Sequence, residues 1–167
     1  MKKNFNPIRI KKDMATLEFE NLAAFREMTG KPLPRGEWVT VTQDMINAFA
    51  AATLDRQWIH VDVERAKKES PFKSTIAHGF MSAALISSMI GDLILIKSMT
   101  MGVNYGLNNL RFPHPVPVNS RVRLVSTVTR IEEFNDSGIK VFWNCELEIE
   151  SILKPACVCE FIALMFE

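Results

Sequence analysis

Ile76-Ala77-His78-Gly79-Phe80-Met81-Ser82-Ala83-Ala84-Leu85-Ile86-Ser87-Ser88-Met89-Ile90-Gly91-Asp92-Leu93-Ile94-Leu95-Ile96 is the stretch on which the reading of the fold turns. From Phe80 to Ile96 it runs 17 residues with one charge, Asp92. That is near the lower limit for spanning a bilayer. Ser82, Ser87, Ser88, Gly91 and Asp92 interrupt it, however, and nothing else in the chain is membrane-like. A helix buried nearly all round inside a soluble fold is favoured. Ahead of it, Ala77-His78-Gly79 reads as a loop that delivers the chain to a helix N-terminus. Backbone N–H groups there lack intrahelical partners and attract developing negative charge.

After the helix the pattern changes. Val103–Leu107 and Leu110–Phe112 read as strand with a break at Gly106, where a bulge or tight bend fits. Pro113, Pro115 and Pro117 make an extended link. Arg121 to Arg130 alternates Val122, Leu124, Ser126 and Val128 with polar neighbours, and Asn135-Asp-Ser-Gly138 signals a turn. Ile139, Val141, Trp143, Cys145, Leu147 and Ile149 form the clearest period-2 run in the chain. Ala156 to Phe166 closes with a more fully apolar strand. Short turns between these strands predict antiparallel pairing.

Before the helix, Asp13 to Met28 suggests one or two helices, and Glu37 to Val41 a short strand. Thr42 is placed to cap a helix from Gln43 to Thr53, with Asp44 in its first turn. Val63 to Lys68 predicts another short helix, capped by Asp62 and stopped before Pro71. The fold class expected is therefore α+β, an antiparallel sheet covering a helix over about 79–96. Residues 13–167 are expected to form one domain behind a flexible leader, 1–12.

At 167 residues the chain is long enough for a real core. Its 47% hydrophobic and 23% charged residues are ordinary for a soluble protein. A net charge of +1 supports neither a nucleic-acid surface nor a polybasic membrane patch. The basic N-terminus lacks a following apolar segment of the signal type, so a cytoplasmic protein is expected. Cys145, Cys157 and Cys159 read as reduced, buried thiols, and no metal site is expected of them.

The chemistry concentrates in Thr53-Leu-Asp55-Arg-Gln-Trp-Ile-His60-Val-Asp62. On one α-helix Asp55 and His60 would stand about 500° apart and point away from each other. They converge only if the chain turns between them, and the non-periodic Arg-Gln-Trp insert permits that. A carboxylate beside an imidazole is a general acid/base pair that lacks only a water. The plain alternative is a helix-end cap and a hydrogen-bonded core histidine.

Taken together, Asp55-x4-His60-x-Asp62, Ile76-Ala-His78-Gly79-Phe-Met81, Asn104-Tyr-Gly106, Arg111-Phe-Pro113 and Pro115-Val-Pro117 resemble the MaoC-like, (R)-specific enoyl-CoA hydratase family. The likeness runs from about Trp38 to the C-terminus. It implies a hot-dog fold, a curved antiparallel sheet around one long helix, in homodimers joined at sheet edges with active sites at the subunit boundary. It also implies reversible addition of water to a trans-2-enoyl-CoA, giving the (3R)-3-hydroxyacyl-CoA, with no cofactor beyond the CoA of the substrate; acyl carrier protein is the alternative carrier. By the resemblance, Asp55 and His60 match the catalytic pair and Gly79 the residue whose N–H polarises the thioester carbonyl. Ser87 matches a hydroxyl that orients the Asp, while His78 is expected to be a structural loop residue beside the site. One departure is Gln57-Trp58, where family members often carry Asn-Pro. Trp58 replaces a rigid ring and bears on the shape of the acyl pocket.

Lys67, Lys68, Lys73 and Arg111 read as solvated charge rather than as partners of CoA phosphates. Tyr105 and Asn109 face either a pocket or the helix-covered side of the sheet. Met81, Met89 and Met99 read as adaptable core. Two further functions stand beside the hydratase. A hot-dog thioesterase would place its acid on the central helix, where only Asp92 qualifies, far from Gly79. A non-catalytic acyl-thioester-binding subunit has no need of both Asp55 and His60.

Overall fold

The computed structural model describes residues 17–135 and 138–167. The leader, the start of the Asp13–Met28 segment, and Asp136 and Ser137 of the expected turn lie outside the described residues. Within them the order is β1 (Leu17–Phe19), α1 (Leu22–Phe25), a 3₁₀ turn (Arg26–Met28), β2 (Val39–Thr40), α2 (Gln43–Thr53), α3 (Trp58–Val61), α4 (Val63–Glu69), α5 (Gly79–Leu93), β3 (Ile94–Ile96), β4 (Met101–Arg111), β5 (Arg121–Asn135), β6 (Gly138–Ile149) and β7 (Ile152–Phe166).

Alternation decides the sheet. The odd-numbered apolar residues of β6 are all buried, and β6 pairs antiparallel with β5 on one side and β7 on the other. The sheet order is β2-β5-β6-β7-β4. Its apolar face shares one core with Met81, Ile86, Met89, Ile90 and Leu93 of α5. This is the hot-dog arrangement, with α5 as the filling. The break expected at Gly106 is real, since the β4–β7 register slips between Asn104 and Gly106. Met99, by contrast, is exposed rather than core. The three cysteines are free and buried, with Cys145 opposite Cys159 across β6 and β7.

The helix ends three residues earlier than the expected 79–96. Ile94–Ile96 leaves it as β3 and pairs in parallel with β1, which replaces helix at Leu17–Phe19. Ile94 and Ile96 are buried while Leu95 is exposed, the period of a strand. A run that is apolar all round hides the switch from period 3.6 to period 2. Only the arrival of a partner strand makes extended backbone cheaper than another helical turn. The capping expectations hold. Thr42 Oγ1 accepts from the Met45 N–H, and Asp62 Oδ1 from the Arg65 N–H. Among the described residues no helix is long and apolar enough to cross a membrane.

What places the site is the join between α5 and the proline segment. Ala77 N–H donates to Val116 O at 2.8 Å, and Val118 N–H to Thr75 O at 2.9 Å. Ile76 and Pro117 form a bridge between them. Proline rigidity on one side thus fixes the four residues that lead into Gly79.

Candidate active site

Helix α2 ends at Leu54 in the left-handed conformation (φ 64°), which turns the chain sharply toward Asp55. The single helical turn α3 then carries His60 back toward the start of α5. The turn anticipated between Asp55 and His60 is therefore built from a left-handed cap and a new helix. The side-chain ligand atoms of Asp55, His60 and His78 all lie within 4.8 Å of one another.

His60 is buried, and its Nδ1 lies 2.7 Å from Ile76 O. A carbonyl only accepts, so Nδ1 carries a hydrogen, and in the neutral ring Nε2 is left with its lone pair. Burial lowers the His60 pKa below the ordinary 6.5; the Ile76 carbonyl opposes this, His78 adds to it, and Asp55 opposes it. The geometry thus presents an unprotonated nitrogen beside a carboxylate. The Asp55 side chain is 57% exposed, open to a water or a substrate.

His78 precedes Gly79 and is itself buried. Its ring stacks on His60 with centroids 3.7 Å apart and planes 24° apart. Nε2 donates to the main-chain O of Asp55 at 2.9 Å, whereas the Asp55 carboxylate is 4.0 Å away. These three residues are the set, among those described, that could hold a metal ion. Stacked imidazoles aim their in-plane lone pairs side by side, however, and a zinc ion needs its nitrogens converging at about 2.0–2.1 Å. The arrangement suits proton transfer better than chelation.

Gly79 is the first residue of α5, so its N–H is one of the donors without an intrahelical acceptor. A side chain has no room there. An added Cβ would sit 2.7 Å from Cδ2 of Phe112, and 2.9 Å from both Cε2 and Cγ. Phe112 is in turn edge-on to the exposed Phe80 ring. Glycine is demanded here by space, since its φ lies outside the left-handed region.

Ser87 lies elsewhere than the resemblance suggested. Its hydroxyl donates to Asn104 Oδ1 of β4 at 3.0 Å, and no hydrogen bond joins it to Asp55. Tyr105 is exposed beneath the Lys140 ammonium, and Lys67 pairs with Glu64. Trp58 packs under the Arg65 guanidinium at 4.4 Å, so the departure from proline is occupied by a cation–π contact.

Gln43 escaped the sequence reading. From the first turn of α2, its Nε2 donates to the main-chain O of His60 at 2.8 Å, and its Oε1 accepts from Thr75 Oγ1 at 2.5 Å. One amide therefore ties the α3 turn to the segment ahead of Ile76. The only signal was a glutamine on the inward-leaning side of an amphipathic helix, which is too common a feature to single out.

A family model described as a MaoC-like domain matches residues 24–143. The 3-hydroxyacyl-thioester dehydratase Z of Mycobacterium tuberculosis is 44% identical over 144 residues, covering 86% of this chain and 95% of that protein. Nodulation protein N of Rhizobium leguminosarum bv. viciae is 40% identical over 146 residues, 87% of this chain and 91% of that one. Among solved structures, a protein described as a monoamine oxidase regulatory protein from Archaeoglobus fulgius superimposes with a TM-score of 0.72 at 22% identity. That match covers 92% of this chain and 99% of that one.

Proposed function

The chain belongs to the MaoC-like dehydratase family, and from that premise we propose that it is a hydro-lyase on acyl thioesters. The reaction is the reversible addition of water to a trans-2-enoyl-CoA to give the (3R)-3-hydroxyacyl-CoA. One observation carries this reading: an imidazole nitrogen with an open lone pair and an exposed carboxylate meet at a helix N-terminus that begins on glycine.

The chemistry follows from those parts. Water bound between Asp55 and His60 gives up a proton as its oxygen attacks C3. Asp55 is the base toward water, and His60, through Nε2, is its partner in proton delivery. Electrons from the C2–C3 double bond move onto the thioester oxygen, which develops enolate charge. The Gly79 N–H meets that charge, and one such donor is typically worth about 3–4 kcal/mol in the transition state. A proton passes from the pair to C2 and collapses the enolate, so the pair ends as it began. Acting as one unit, the two groups share the titration. The pathway uses no cofactor beyond the carrier of the acyl group.

The thioesterase alternative draws less support. Asp92 is 13 residues along α5 from Gly79, about 20 Å at helical rise. We further propose a homodimer through β4. That strand is an 11-residue sheet edge whose side chains are nearly all exposed, Met101, Val103, Tyr105 and Leu107 among them. An apolar edge of that length calls for a partner.

The test is absorbance at the enoyl-thioester band with crotonyl-CoA and longer trans-2-enoyl-CoAs, with free thiol followed in the same cuvette. Loss of the band without thiol, and a (3R) product, establishes the hydratase. Thiol release would mean a thioesterase. Silence at every chain length would reject the CoA substrate and direct the search to carrier-protein thioesters.

A further inference from the structure

The loop that holds Asp55 has few anchors of its own. Leu54 is exposed; the Asp55 N–H reaches Thr53 Oγ1 at 3.4 Å, and the Gln57 N–H reaches Asp55 Oδ1 also at 3.4 Å, both at the long end of hydrogen bonding. The short bond at Asp55 is the one from His78 Nε2 to its main-chain O, 2.9 Å. The same ring lies against His60 on one side and Phe49 at 5.1 Å. Through its main chain, His78 also opens α5, its carbonyl accepting from the Met81 N–H at 3.1 Å. One residue thus touches the Asp55 peptide and the His60 ring, and directly precedes Gly79.

We propose that His78 is a positioning residue: its Nε2–H pins the Asp55 peptide, so that the carboxylate, the His60 ring and the Gly79 N–H are held as one unit. This rests on the hydro-lyase reading of the site. A purely structural ring does not explain the imidazole. Nδ1 of His78 is buried without a hydrogen-bond partner among the described residues, a cost in stability that phenylalanine of the same shape would avoid. What imidazole supplies and phenylalanine lacks is the Nε2–H.

Two variants separate the ring from the donor. His78→Phe keeps the stack and loses the donor, while His78→Gln keeps an N–H at that reach and loses the stack. We expect His78→Phe to lower kcat by on the order of 10²-fold with KM changed by less than about threefold, since a misplaced catalytic group loses alignment rather than binding. His78→Gln should recover at least about a tenth of wild-type kcat on the same footing. Equal losses in the two variants, or a wild-type rate in His78→Phe, would overturn the proposal. Two readouts do not need turnover. In ¹⁵N spectra of the wild-type protein, His78 should be the Nε2–H tautomer; the Nδ1–H tautomer would overturn it. Amide exchange at Asp55 to Gln57 should quicken in His78→Phe and return in His78→Gln. If wild type leaves enoyl thioesters untouched, the hydratase reading fails, yet the tautomer and the exchange still decide the positioning claim. If His78→Phe does not fold, the wild-type tautomer alone still decides it.

Discussion

Strand β6 is paired on both sides and buries every second side chain from Ile139 to Ile149, whereas the chain from Leu54 to Gly79 is held largely by hydrogen bonds that cross between elements. In the first region stability is spread over a ladder and a packed face. In the second, few apolar contacts back a cluster whose geometry depends on Gln43, Ile76 and His78. The proposed chemistry thus falls to a region that borrows rigidity from α5 and the proline segment. Substitutions should therefore divide cleanly, with sheet changes costing stability and site changes costing rate.

The widest expected separation comes from Asp55→Asn and His60→Gln. Each removes a group proposed to transfer a proton and should lower turnover by about 10²–10⁴-fold. Asp55 is more than half exposed, so its melting temperature should scarcely move. Near-normal turnover in either variant would strike that residue from the mechanism. The mirror experiment is Trp143→Ala, in the fully buried centre of β6. It should cost about 3–5 kcal/mol in denaturant unfolding, with the remaining folded fraction turning over normally. Trp143→Phe sharpens the point. The indole Nε1 is buried without a partner among the described residues, so removing it offsets part of the lost volume. The change should stay within about 1.5 kcal/mol.

Gly79→Ala should fall between these, because it crowds the start of α5 without removing any side chain. The new methyl meets the Phe112 ring, which must move aside. Tilting the first turn of α5 by a few tenths of an ångström would misalign the Gly79 N–H, the donor proposed to meet transition-state charge. About tenfold to a hundredfold in kcat is expected, within what one such donor is worth. Phe112→Ala in the same chain makes room and should return part of the loss. If it returns nothing, crowding by Phe112 is not how alanine does its damage.

How much of this was legible follows the same divide. The period-2 run of β6, the α2 cap at Thr42, and the helix that begins at Gly79 could be read because each is a local pattern with a local cause. Ile94–Ile96 could not, because its pattern is ambiguous until β1 pairs with it. At the site, Asp55, His60 and Gly79 stood out as residue types with spacing. The Gln43 clamp and the His78 bond to Asp55 join residues 17 and 23 positions apart through main-chain carbonyls, which no side-chain pattern encodes. Ser87 shows the reverse error, in which a hydroxyl at a plausible helical position turns to Asn104 instead.

The smallest effect expected is also the one that tests whether burial reaches into the chemistry. Burial lowers the His60 pKa below 6.5 in the folded chain, while the unfolded chain protonates near that ordinary value. The folded state thus binds fewer protons in this window, so the contribution of His60 to stability is intact above about 6.5 and declines as pH falls toward the folded pKa. For catalysis the direction is the same. Nε2 keeps its lone pair to a lower pH than an exposed histidine would, and the acid limb of kcat/KM should lie below 6.5. Trp143→Phe should leave that limb in place, because it changes the sheet and not the groups facing His60. Gln43→Ala should move it upward, by loosening the turn that keeps the ring buried. An acid limb above 6.5 in the wild-type protein would show that His60 is solvated during turnover, and that the two regions are less separate than their packing implies.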